Sequence, residues 1–385
     1  MFEDNSMTTA LVKKRIDAID MLRGLVILLM LLDHVRERFF YHVQVSDPMD
    51  ISVTEPGLFF SRFAAHFCAP VFVFLTGLSA WLYAHPAQGT ARSARSFLFK
   101  RGLFLIALEV TVITVSWMGS YHTVWLQVIW AIGLSMLALA ALLALPYRLL
   151  LLLGLLIVFG HNALTPINFA AGEWGYSLWT ILHDRNILFS VDWLTVKVSY
   201  PVLPWIGVIL LGYTAGPLYQ LDAAVRRRWL LRLGGACLLL LLLLRGFNIY
   251  GETLPWQLQT TATDSLMAIL NFTKYPPSLH FLLVTLGIMF LLLAQMERWQ
   301  SKAAQVLVTF GSVPMFFYIL HLYLLLALYS ICMALFGPNQ GTLFAVNQLS
   351  LVWLISIALA LLLYRPTKWF SRYKHSSKKA WLRYL

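Results

Sequence analysis

About ten stretches of this chain are apolar enough, and most of them long enough, to cross a bilayer, and its basic residues fall almost entirely on every second connection between them. The pattern predicts a polytopic, all-α membrane bundle of about ten helices. The spans run from about Ile19 to Phe40, Leu58 to Ala84, Leu103 to Met118, Val124 to Leu145 and Leu149 to Gly160. They continue with Tyr200 to Tyr219, Trp229 to Leu244, Leu279 to Met296, Val306 to Ala334 and Phe344 to Tyr364. The fifth is the weakest, with only about twelve clean apolar residues. Charged residues make up 12% of the chain, against roughly 25% in soluble domains, so nearly all of them sit in connections or at functional points. Fourteen tryptophans and sixteen tyrosines suit a protein with two water–lipid boundaries.

The positive-inside rule sets the orientation. With the N-terminus inside, the cytoplasm receives Lys13, Lys14 and Arg15, the Arg92 to Arg101 connection, Arg148, the Arg226 to Arg232 cluster, Arg298 with Lys302, and the tail from Arg365. With Arg23, these hold most of the 29 lysines and arginines. Both termini are then cytoplasmic, with a segment 1–18, a membrane domain 19–364 and a basic tail 365–385. The formal charge of +12 is a topology signal rather than a nucleic-acid footprint, because the basic residues flank spans instead of forming one soluble basic domain. Cys68, Cys237 and Cys332 lie in or beside apolar spans without paired or metal-ligand spacing, so neither a disulfide framework nor a metal is expected. The start, MFEDNSMTTALVKKR, does not have the features of a cleavable signal peptide. Two long outer connections, His161 to Ser199 and Arg245 to Ser278, are the natural substrate-facing elements.

The first span carries the most chemistry: RIDAIDMLRGLVILLMLLDHVRERF. Arg23 and His34 are eleven residues apart, about three turns, so they share one stripe with about 16 Å of helix between them. Asp20 lies one turn before Arg23; Asp33, His34, Arg36, Glu37 and Arg38 crowd the other end. Such a stripe belongs against protein or a wet cavity, since a charge facing lipid at depth costs several kcal/mol. The plainer alternative is that both residues snorkel to opposite surfaces.

The opening RIDAIDMLRGLVILLMLLDHVR, followed in order by HFCAPVFVFLTG, FLFKRGLFLIALEVT, YPVLPWIGVILLGYTAG, KYPPSL and GSVPMFFYILH, resembles bacterial relatives of the catalytic domain of heparan-α-glucosaminide N-acetyltransferase. These are members of a wider set of transmembrane acyltransferases that includes the acyltransferase-3 proteins. The resemblance implies an acyl-CoA-dependent O- or N-acyltransferase in a bacterial inner membrane, with acetyl-CoA as donor and a glycan or amino-sugar-like acceptor outside. In the glucosaminide enzyme the active histidine lies in an outer loop, and the matching loop here, DPMDISVTEPGLFFSRF, has no histidine. The acyltransferase-3 pattern, LRG followed eleven residues later by histidine, falls on Arg23 and His34. That favours His34 as the base and leaves an amino-sugar acceptor open.

The chemistry points the same way. Acyl transfer from a thioester to a hydroxyl or amine needs a base, and histidine has a reference pKa near 6.5. Asp33 cannot readily orient its neighbour's ring, because adjacent helical positions point about 100° apart. A partner from another helix is required, and Glu109, His66 and His321 are the ionisable candidates inside apolar spans. Lys100 and Arg101, with Arg23, are candidate contacts for the donor's phosphates, although they also satisfy the positive-inside rule. Arg245, Asn248, Tyr250, Lys274, Tyr275 and Trp205 offer the donors, acceptors and flat aromatics that bind sugar-like acceptors, or else form interfacial belts. Pro314 breaks the ninth span shortly before His321.

A proton-coupled transporter could use Asp33, His34 and Glu109 as a relay, and a non-catalytic envelope scaffold is a third reading; no duplicated halves are apparent in support of the former. The sequence leaves open the acceptor, the acyl chain length, single displacement or acyl-enzyme, and whether the chain forms a homodimer.

Overall fold

The computed structural model of the chain describes residues 4–86 and 90–384. The side chains of Lys13, Lys14 and Arg15 lie outside the described residues. The helices, in chain order, are α1 (Asp4–Phe39), α2 (Pro56–Ala65), α3 (Cys68–Ala84), α4 (Ala94–Leu108), α5 (Thr114–Met118), α6 (Val128–Leu142), α7 (Tyr147–Gly160) and α8 (Tyr176–Leu182). They continue as α9 (Leu203–Thr214), α10 (Ala223–Gly246), α11 (Ala262–Leu270), α12 (Leu279–Met296), α13 (Lys302–Ser312), α14 (Pro314–Phe336) and α15 (Leu349–Ser376). Three short strands, β1 (Thr123–Leu126), β2 (Ile187–Val191) and β3 (Leu194–Val198), complete the set.

Six segments among the described residues are long and apolar enough to cross a membrane: Pro56–Ala84, Tyr147–Leu164, Ala223–Gly246, Leu279–Met296, Pro314–Phe336 and Leu349–Ser376. This is a mostly helical, multi-pass membrane protein. Three of the four remaining expected spans differ for identifiable reasons. In α1, Arg23 and the charges from Asp33 to Arg38 leave only a short uncharged run. The expected fourth span begins not as helix but as strand β1, whose Thr-Val-Trp-Leu sequence suits a sheet, so α6 is 15 residues, about 22 Å. Helix α9 has 12 residues, about 18 Å. The weakest of the expected spans, Leu149 to Gly160, is lengthened at both ends and meets the criterion after all.

The chain forms two compact units. The first comprises Met1–Cys68, Thr260–Met267 and Leu291–Leu385. Here α1 packs directly on α13 because both present glycine at the contact: a Cβ on Gly24 would collide with the Leu307 backbone, and one on Gly311 with that of Asp20. The expected ninth span is two helices. Pro314 opens α14 without an N–H to donate and holds Val313 at φ −136°, ψ 56°, outside the helical region. Helix α15 runs unbroken past Tyr364 into the basic segment, and its Ser371 hydroxyl meets that of Ser312 at 2.8 Å.

The second unit comprises Ala69–Gln259 and Ala268–Phe290. From Ala94 to Met118 the helix is continuous but passes through a π turn at Glu109–Ile113. The α4–α6 crossing is also glycine-to-glycine: a Cβ on Gly102 would lie 2.8 Å from the Gly133 carbonyl. The long connection before α9 carries a small sheet in the order β1-β3-β2, with β1 parallel and β2 antiparallel to β3. Among the described residues, this sheet and two isolated β-bridges depart from an all-α fold.

Candidate active site

In the first unit, His34 Nδ1 lies 2.7 Å from His321 Nε2, joining residues 287 apart in sequence. Their rings are nearly parallel, 16° apart, with centroids at 5.0 Å. His321 is fully buried in α14, and its Nδ1 is 2.8 Å from the Phe317 carbonyl one turn earlier. A carbonyl oxygen can only accept, so His321 Nδ1 carries hydrogen, and in a neutral ring Nε2 is then the acceptor. His34 Nδ1 must therefore donate to it. This puts the lone pair of a neutral His34 on Nε2, the atom that would take a proton. Tyr318 packs edge-on against both rings, 5.9 Å from that of His34 and 5.6 Å from that of His321.

Of the three partners expected for His34, the one that makes this contact is His321. His66 is buried at the end of α2, its ring 5.7 Å from that of Phe63. Glu109 belongs to the second unit, where its carboxylate accepts from the Trp130 N–H at 2.9 Å. Trp130 is in the first turn of α6, so the carboxylate faces the positive end of that helix. The π turn is what presents Glu109 there, and Thr114 Oγ1 donates to the Glu109 carbonyl at 2.9 Å within it.

Asp33 does not orient His34; it anchors a charge cluster. Its Oδ1 accepts from Arg36 Nε at 2.9 Å and lies 4.0 Å from Arg62 Nη1, all three residues being buried. Arg36 also reaches Glu37 at 3.2 Å. These contacts limit the cost of burying Asp33, Arg36 and Arg62. Arg62 was not among the expected site residues, although an arginine inside an apolar run is a legible signal. Arg23 pairs with Asp20 at 2.9 Å and is partly exposed.

The remaining expected site residues lie in the second unit. Lys100 is exposed on α4, and the guanidinium of Arg101 sits 5.8 Å from the Phe97 ring centroid. Arg245 is buried and donates to four backbone carbonyls: Nε to Ile269 at 3.1 Å, Nη1 to Leu254 at 2.6 Å, and Nη2 to Ala268 at 2.8 Å and Asn271 at 2.9 Å. Asn248, at φ 50°, exchanges hydrogen bonds with the Trp256 backbone at 3.0 and 3.1 Å. Tyr250 donates to the Phe159 carbonyl at 2.6 Å, and burial pushes its phenol pKa up, keeping it a donor. Glu252 gathers the Thr253 and Thr273 amides, at 2.9 and 3.0 Å, and the hydroxyls of Thr273 and Ser278. Arg245, Asn248 and Glu252 thus fold this segment onto itself, and Tyr250 ties it to the end of α7.

Tyr275 has a different setting. Arg185 lies 4.5 Å and Lys274 5.2 Å from its ring centroid, and its hydroxyl is 3.2 Å from that of Tyr200. Arg185 is exposed and ninety residues away in sequence, with nothing local to signal it. Trp205 is fully buried behind Tyr200, with ring centroids 6.0 Å apart.

A polytopic helical bundle with an inter-helix histidine couple in one unit and a folded polar loop in the other defines a membrane-embedded class of protein. Residues 15–246 match the family described as heparan-alpha-glucosaminide N-acetyltransferase, catalytic, and the chain belongs to that family. No curated protein matches it. The matched region includes His34 but ends before His321, so the family match and the histidine contact are independent observations.

Proposed function

We propose that this protein transfers an acetyl group from acetyl-CoA, arriving on the cytoplasmic side, to a glycan or amino-sugar-like acceptor on the other side of a bacterial inner membrane. The observation that carries the reading is the His34–His321 contact, because its tautomer leaves His34 Nε2 as a base. In the reaction, His34 Nε2 removes a proton from the acceptor's hydroxyl or amine as that atom attacks the thioester carbonyl. The C–S bond then breaks, and the proton passes from His34 to the departing thiolate. His321 acts as a positioning residue, holding the imidazole and stabilising the imidazolium formed midway, as the buried carboxylate does in a serine protease triad.

Arg23, on the same helix about 16 Å from His34, is proposed to bind the donor's phosphates, and Lys100 and Arg101 are proposed for the same chemistry. In this reading the chain crosses the membrane ten times with both termini in the cytoplasm, and 19–364 is the membrane domain between the cytoplasmic segments 1–18 and 365–385. Lys274 and Tyr275 are the proposed acceptor contacts; Trp205 backs them, while Arg245, Asn248 and Tyr250 shape the loop that carries them.

The test is thiol release from acetyl-CoA by the purified full-length protein. Release by wild type and its loss in His34→Ala, with size-exclusion behaviour unchanged, supports the reading. Equal release by both proteins rules out His34 as the base.

A further inference from the structure

The second unit contains a cavity of about 570 Å³ that the proposed reaction does not use. One wall is a single stripe of α7, Tyr147, Leu151 and Leu155, and the other a single stripe of α10, Trp229, Leu233 and Ala236, spaced three or four residues apart. Helix α12 forms part of the floor through Leu282, Leu286 and Phe290. No charged side chain lines it.

The two walls run the same way. Tyr147, at the start of α7, donates to the Thr214 carbonyl, and Tyr250, just beyond the end of α10, donates to Phe159 near the end of α7. The stripe from Tyr147 to Phe159 is therefore about 18 Å long. Only 22% of the apolar stretch of each helix is buried, so both also face outward along their length.

At the end where the two helices begin, the groove is flanked by cations. Arg232 lies over the groove-lining Trp229, 5.5 Å from its ring centroid, and Arg226 Nη1 donates to the carbonyl of the groove-lining Leu221 at 2.9 Å. Arg227 and Arg228 lie between them in sequence. Among the described residues, no carboxylate is within ion-pair distance of Arg227, Arg228 or Arg232. An apolar slot with arginines at its mouth is the complement of a hydrocarbon chain carrying an anionic head.

We propose that the groove between α7 and α10 binds one chain of an anionic glycerophospholipid, with its phosphate against the arginines at the start of α10. This goes beyond the acyltransferase reading and does not depend on it. The ligand is a resident of the bilayer rather than an arrival from water, which suits a slot that opens along its length.

The experiment is native mass spectrometry of the full-length protein released from nanodiscs containing equal parts of phosphatidylglycerol and phosphatidylcholine. Wild type should retain one phosphatidylglycerol in preference to phosphatidylcholine. That preference should fall by about fivefold for Arg232→Ala, less for Arg228→Ala and least for Arg227→Ala, which lies about 200° round α10 from Trp229, whereas Arg365→Ala with Lys368→Ala should leave it unchanged. Ala236→Trp should displace both lipids. Equal retention of the two lipids by wild type would overturn the proposal. So would an undiminished preference in the triple arginine variant, whose exposed or half-buried positions do not put folding at stake.

Discussion

The histidine couple and the Arg245–Glu252 loop are both polar and both held by side-chain hydrogen bonds, yet they use their side chains in opposite ways. In the loop, side chains hold the chain: Arg245 donates to four backbone carbonyls, Asn248 bonds to the Trp256 backbone, and Glu252 accepts from two amides and three hydroxyls. Nearly every donor on Arg245 is engaged in holding the chain. In the couple, one backbone carbonyl meets His321 and His321 meets His34, so the bonds run from ring to ring. Polar side chains of the first kind hold a shape; in the proposed function those of the second kind hold a base. The distinction lies in where the hydrogen bonds end, not in residue type or burial.

Substitutions can break this comparison at several strengths. The largest expected effect is on turnover: His34→Ala should lower acetyl transfer by about a hundredfold to ten-thousandfold while leaving thermal unfolding in detergent unchanged. Arg245→Met should do the reverse, costing about 3 kcal/mol or more by stranding several carbonyls at once, seen as a lower unfolding temperature. If Arg245→Met retained full stability and lost only activity, the two regions would have to be read alike.

His321 sharpens the contrast. His321→Ala should cost activity by about tenfold to a hundredfold through lost orientation of His34, and His321→Gln should recover part of it. The glutamine amide can donate to the Phe317 carbonyl while its oxygen accepts from His34 Nδ1. A purely packing role would show no such rescue. Next in size, Glu252→Gln should cost about 1–2 kcal/mol and admit protease to the loop, with KM for acetyl-CoA unmoved. The smallest expected change is at Lys100→Ala/Arg101→Ala, where KM for acetyl-CoA should rise by about fivefold per cation at low salt and less at high salt, with kcat retained. Steady-state kinetics at two ionic strengths checks it.

Much of the architecture was legible before any coordinates. Six membrane-length helices were readable because apolar length is a local property, and the split at Pro314 because proline acts on its own neighbourhood. The Arg23–His34 stripe followed from helical periodicity alone, as did the argument that Asp33 could not orient its neighbour, and that residue turns instead to Arg36 and Arg62. What misled was also local: Val124 to Leu126 is apolar enough to extend a span, but it pairs with Leu194–Val198 seventy residues on.

The sequence by itself marked this chain as a multi-pass membrane protein and marked where six of its apolar helices lie, and it sought a partner for His34 on another helix. Hydropathy and periodicity carry that information residue by residue. Which partner His34 has, which helix end Glu109 faces, which ring Arg185 covers and which carbonyls hold Arg245 were decided only in three dimensions. Each of these is a pairing between distant segments, and no local pattern encodes the register in which two helices meet. Here part of that register is set by Gly24 and Gly311, where two backbones approach until no side chain fits between them.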